Sequence, residues 1–125
     1  MNNLVKITKD ERRAKALTDL ARNRYLTISE LKEPYRQIGE YHEIICEIIL
    51  AIMCKYGFET LNPKTLIEFA KENIKVLTSA EISLIDDLRI KRNNIVYYGE
   101  TVTSDFLSAR KSVIDWIIEK MLKTC

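Results

Sequence analysis

Apolar residues recur three to four positions apart along most of the chain, the spacing of amphipathic helices rather than strands. Thr8 and Glu11 have the spacing of a capping box and predict the first helix start. Leu17, Leu20, Ala21, Tyr25, Ile28 and Leu31 then share a face, with Thr27 to Ser29 a point of interruption. Pro34 suits the first turn of a second helix and Gly57 its stop. Its stripe is Ile38, Tyr41, Ile45, Ile48, Ile49, Ile52 and Tyr56, with His42 at the edge and Glu40, Glu43 and Glu47 mainly on the polar side. Asn62 caps a third helix that begins at Pro63 and reaches about Asn73. Thr78 or Ser79 starts a fourth, with Glu81 in its first turn and Gly99 at its end. Ser104 or Asp105 caps the last, which carries Leu107, Val113, Ile114, Trp116, Ile117, Ile118, Met121 and Leu122. Four long helices joined by short connections predict an all-α fold, an antiparallel four-helix bundle with the Pro63 segment as an additional short helix. No linker or repeat divides residues 1–125, so a single domain is expected.

Composition narrows this picture without redirecting it. An apolar fraction of 46% and a charged fraction of 30% are ordinary for a globular domain, and three Gly with two Pro leave little room for the turns of a sheet protein. The net charge of +2 does not mark a nucleic-acid binder. Its distribution is uneven: Lys6, Lys9, Arg12, Arg13, Lys15, Arg22 and Arg24 face only Asp10, Glu11 and Asp19 in the first helix region. That region is either a phosphate-attracting surface or a solvated face with local ion pairs. Cys46, Cys54 and Cys125 are odd in number, without CxxC spacing, which argues against zinc and against a disulfide framework. A reduced, cytoplasmic setting is expected. The first residues lack a signal-peptide core, and the apolar run from Ile44 to Cys54 is too short to span a bilayer, so no membrane partner is expected.

The informative anomaly is Arg92. On a wheel of roughly 100° per residue, Ile82, Leu84, Ile85, Leu88, Ile95 and Val96 fill one face of the fourth helix, and Arg92 falls inside that arc. A guanidinium keeps its charge, and burying it alone costs several kcal/mol. It must meet a carboxylate, a cavity, a symmetric partner chain or a phosphate. A structural reading pairs it with Asp86 or Glu47 in a plain dimerisation domain; a functional one gives it an anionic ligand. His42, the sole histidine, is either a core residue hydrogen-bonded to a neighbour or a titratable group at a helix–helix cleft. Gly39, Gly57 and Gly99 are isolated, so there is no phosphate loop, and HExxH, EF-hand, GxSxG and di-metal Glu-x-x-His patterns are missing. No metal ligand set and no cofactor are expected.

In order and content these elements resemble the HEPN superfamily. The likeness runs from about residue 10 to 122: a long helix, a second ending in Lys-Tyr-Gly, the short NPKTLIEFAKEN helix, then LIDDLRIKRNNIVYYG and a closing helix. The family motif is an Arg, commonly followed by Asn, His or Asp, with a His four to six residues on. Arg92 and Asn93 match its start, while Tyr97 (or Tyr98) stands where the His is expected. The resemblance implies a homodimer with facing motif helices, and a metal-independent ribonuclease in which the Arg holds the scissile phosphate and the His assists the 2′-hydroxyl. A phenol holds its proton at neutral pH and is a poor base, so Tyr97 is expected to orient the phosphate or donate to it, with His42 a possible base from the neighbouring helix. Arg89 and Tyr98 join Arg92 as candidate RNA- or nucleotide-contacting residues. Some family members pair with a nucleotidyltransferase that modifies a Tyr just past the motif, which makes such a protein, or RNA, an expected partner. With the His missing, the resemblance implies a catalytically degenerate binding module of a toxin–antitoxin or nucleotidyltransferase-associated system. An active ribonuclease built on Arg92 with Tyr97 or His42 is the alternative. Facing Arg92 side chains would repel, which predicts an anion or Glu43 or Glu47 near the two-fold axis.

Overall fold

Asp10, not Thr8, starts the first helix: its carboxylate accepts the Arg13 backbone N–H at 2.9 Å, and the helix begins at Glu11. Thr8 belongs instead to an extended lead-in, because the chain before it forms β1 (Val5–Lys6) against β2 (Phe58–Glu59), antiparallel with Val5 opposite Glu59. The computed structural model describes residues 3–125, and this two-residue pair is its only sheet among them. Helix α1 (Glu11–Thr27) ends in a 3-10 turn over Ile28–Glu30, where the sequence placed an interruption. Then follow α2 (Pro34–Lys55), α3 (Pro63–Asn73) and α4 (Ser79–Tyr98). The last expected helix is two: α5 (Asp105–Ser108) turns at Ala109 and Arg110 before α6 (Lys111–Thr124).

Elsewhere the local signals operate as expected. Asn62 Oδ1 accepts from the Thr65 N–H, fixing the start of α3. Thr78 and Glu81 form a complete capping box at α4. Gly99 adopts φ 65° and its N–H reaches the Ile95 carbonyl, while the Glu100 N–H bonds to Asn94, closing α4 as a left-handed cap.

The fold is an all-α bundle of α1, α2, α4 and α6 with α3 as the additional short helix. Asp10 N–H bonds to the Cys54 carbonyl while Arg24 pairs with Glu40, so α1 and α2 run in opposite directions. Lys120 near the end of α6 holds Glu81 at the start of α4, making that pair antiparallel too. Helix α2 is the central element. Ile38, Ile44, Ile45, Ile48 and Ile49 are fully buried there, each worth roughly 1.5–3 kcal/mol of transfer free energy. Ile85 and Leu88 of α4 and Ile114, Ile117, Ile118 and Met121 of α6 complete the core.

The wheel was too generous at several positions. Leu20, Tyr56, Val113 and Trp116 lie on expected apolar stripes yet are exposed, because no second layer covers those outer edges. Glu47, expected mainly on the polar side, is buried because α1 passes over it and supplies Arg24.

Candidate functional site

The buried stripe of α4 stops short of its end. Ile85 and Leu88 are buried and Ile95 is half-buried, but Val96, Tyr97 and Tyr98 are exposed, the tyrosines to 67% and 82%. Val96 therefore does not belong to the buried face the periodicity gave it. The last turns of α4 project past the core, and Arg92 sits half-buried at that transition.

There Arg92 lines a cleft of about 210 Å³ between α2 and α4, closed at one side by the segment from Thr60 into α3. His42, Glu43, Cys46 and Glu47 come from α2, with Leu50, Thr60, Leu61, Pro63 and Leu66 forming the remaining wall. The pairing of Arg92 with Asp86 or Glu47 does not occur. Asp86 is held by Arg89 at 2.8 Å, three residues away on the same helix. Glu47 Oε1 lies 2.7 Å from Arg24 Nε, and Arg24 also reaches Glu40 at 3.0 Å. Among the described residues no carboxylate lies within ion-pair distance of Arg92. Its Nη1 donates to the Asn93 side-chain carbonyl at 3.2 Å, and its Cζ lies 6.0 Å from the centre of the Tyr97 ring.

His42 is a core residue that also lines this cleft. Its Nε2 is 3.6 Å from Cys46 Sγ, one helical turn away, and its Nδ1 is buried without a hydrogen-bond partner. Burial first, then the positive charges of Arg92 and Arg89, push the imidazole down to about 4. It is neutral at pH 7, able to accept a proton but only weakly basic. Burial, reinforced by Glu43, pushes the Cys46 thiol up to about 12, so it stays protonated and is no nucleophile. Glu47 is raised by burial against the opposing pull of Arg24, and neither of its carboxylate oxygens has a hydrogen-bond partner, so Arg24 meets it as an ion pair only.

Of the sequence-derived candidates, the fold brings Arg92, Asn93 and Tyr97 together through direct contacts and places His42 in the same cleft. Arg89 acts on His42 through its charge while bound to Asp86. Tyr98 projects into solvent and does not line the cleft. Cys46 and the Thr60–Leu66 wall were missed. The spacing of Cys46 one turn after His42 was a usable signal; the wall depends on how α3 docks, which no local pattern encodes.

The fold and site define a helical bundle with an uncountered cation at the mouth of a mixed cleft. Comparison with family models, curated proteins and solved structures yields no match for the chain. Among the described residues, no group of three or more His, Cys, Asp or Glu could hold a metal, and no helix is long and apolar enough to cross a membrane.

Proposed function

We propose that this chain is a HEPN-type module that binds a phosphate-bearing ligand, RNA or a nucleotide, through Arg92, and that it has lost the base needed to cleave it. One observation carries the reading: a half-buried guanidinium at a cleft mouth with no carboxylate partner among the described residues. Glu47 and Asp86 are taken by Arg24 and Arg89, and Glu43, which lines the same cleft, lies beyond ion-pair distance, leaving Arg92 free for an external anion. The strongly depressed His42 and the exposed Tyr97 are poor general bases, which favours binding over chemistry.

Cytoplasmic action as a homodimer, alongside a nucleotidyltransferase or another toxin–antitoxin partner, belongs to the same reading. It is supported by the exposed Val96, Tyr97 and Tyr98 on the projecting end of α4, with Ile90 exposed just before it, an apolar surface suited to a second copy or another protein. The alternative, an active metal-independent ribonuclease, draws on the Arg92–Tyr97 contact and on the neutral His42 in the same cleft.

Labelled RNA incubated with protein in EDTA separates the two. Binding that weakens on Arg92→Ala, without cleavage, supports the module; cleavage lost in Arg92→Ala supports the ribonuclease; binding indifferent to Arg92 rejects both. Sedimentation of wild type and Val96→Glu tests the dimer, with a monomeric wild type counting against it.

A further inference from the structure

The cleft is chemically two-part, and phosphate binding uses only its mouth. Arg92 and the exposed Glu43 mark the charged rim. Beyond them the wall is Cys46, Leu50, Thr60, Pro63 and Leu66, with Leu61 at the edge, 88% exposed. The one carboxylate set into the buried part, Glu47, is answered by Arg24. The remaining polar groups are an imidazole, a thiol and a hydroxyl, all neutral at pH 7 and each able to exchange donor and acceptor roles. His42 among them is 4% exposed, and its Nε2 lies 3.6 Å from the Cys46 Sγ on the same wall.

Such a wall suits a flat, uncharged ring better than a second phosphate, which would meet no cation there. Size points the same way. At about 210 Å³ the cleft lies below the roughly 300 Å³ where pockets for drug-sized ligands begin, so it admits one ring system rather than a whole nucleotide. Apolar side chains around the ring, with a few polar groups at its edge, are one way proteins hold a base turned out of its stack.

We propose that the inner cleft, walled by Cys46, Leu50, Thr60, Pro63 and Leu66, is a nucleobase subsite that takes one ring of the ligand whose phosphate Arg92 binds. The proposal rests on the phosphate reading of Arg92 and names what lies next to that phosphate. The ligand is then a nucleotide unit with its base turned out of any stack, entering with the ring inside and the phosphate at the rim. A paired duplex does not offer such a base.

The test uses a fluorescent hexaribonucleotide and an abasic chain of the same length and charge, each titrated with the intact protein. The base-bearing strand binds more tightly by roughly tenfold or more, the gain expected from burying one ring's apolar surface. In a Tyr97→Ala background, which takes away base stacking outside the cleft, Cys46→Phe fills the cleft, lowers that affinity to the abasic level and leaves abasic binding unchanged, while Cys46→Ser, which leaves the cleft open, keeps the difference. If Cys46→Phe loses its helical circular dichroism, Leu50→Phe at a half-exposed position serves instead. Equal binding of both strands by wild type, or a filled cleft that weakens both alike, overturns the subsite. In either case Arg92→Ala still weakens both strands if the phosphate reading holds, so the two can fail separately. Adenosine monophosphate as competitor sorts the source: affinity equal to that of the hexamer assigns the subsite to a free nucleotide, and weaker affinity to a strand.

Discussion

The Arg92 guanidinium carbon lies 6.0 Å from the centre of the Tyr97 ring, and that ring is two-thirds exposed. Cation and aromatic face are thus offered side by side at the cleft mouth. Tyr97→Ala removes a stacking surface without removing charge, and is expected to weaken RNA binding by roughly 1–3 kcal/mol. Tyr97→Phe keeps the face and retains most of the affinity. Because Tyr97 packs against little else, neither change shifts the melting temperature by more than a few degrees. A Tyr97→Phe protein as weak as Tyr97→Ala would assign the effect to the hydroxyl and reject the stacking account.

His42 makes the fold sensitive to acid. An imidazole in water titrates near 6.5, and in the folded chain burial pushes this one down to about 4. Between those values the unfolded chain takes up a proton that the folded one refuses. Stability from this group is present above about pH 6.5 and falls as pH drops toward 4, by up to roughly 3 kcal/mol. Urea titrations at pH 7 and pH 4.5 on wild type and His42→Gln measure it: the variant loses less on acidification. An anion bound at Arg92, or Arg92→Gln, relieves part of the repulsion and moves the His42 resonance to a higher titration midpoint in NMR. A midpoint unmoved by both would show that Arg92 does not sense the imidazole.

The two left-handed glycines differ in cost. Gly99 at φ 65° has open space where a Cβ would stand, so Gly99→Ala carries only backbone strain, about 1 kcal/mol. Gly57 at φ 87° would set a Cβ 3.0 Å from the Ile7 carbonyl oxygen, and Ile7 N–H bonds to the Gly57 carbonyl at 2.8 Å. Gly57→Ala adds a backbone clash to the strain and costs about 2 kcal/mol or more. Thermal melts that rank Gly99→Ala as the worse variant would contradict this.

Those glycines also mark where local sequence information is strong. Gly57 and Gly99, Asn62, Pro34 and the Thr78–Glu81 box state helix ends in chemistry that acts within four residues, and the structure uses each of them. Asp10 displaced Thr8 because both are capping residues close together, and the β1–β2 pairing, which joins positions far apart in sequence, settles which one the chain reaches. The site was half visible for the same reason. Arg92 stood out as a charge within an apolar arc, and Asn93 and Tyr97 were singled out only by the resemblance of that helix to the HEPN motif. What surrounds Arg92 comes from α2 and from the Thr60–Leu66 segment, whose approach depends on packing. So does the loss of Glu47, which Arg24 reaches from a different helix, whereas Asp86 is lost to Arg89 on its own helix.

Arg24 and Glu47 supply the last prediction. Glu47 is almost wholly buried and Arg24 about one-third exposed, so the pair is neither a surface bridge nor a fully buried one. Removing the cation leaves a buried carboxylate without its counter-charge, a loss of 3–5 kcal/mol for fully buried pairs. With water partly screening Arg24, roughly 2–3 kcal/mol is expected for Arg24→Ala at pH 7. The sign of its pH dependence follows from Glu47, whose carboxyl burial already raises. Without Arg24 the folded-state value rises further above the unfolded one, so the folded chain holds a proton the unfolded chain releases. Acidification therefore stabilises the variant, and its deficit shrinks at pH 5. Glu47→Gln in the Arg24→Ala background removes the charge and recovers much of the loss at pH 7. A deficit that is equal at both pH values and unrelieved by Glu47→Gln would mean that Arg24 contributes packing of its stem rather than charge.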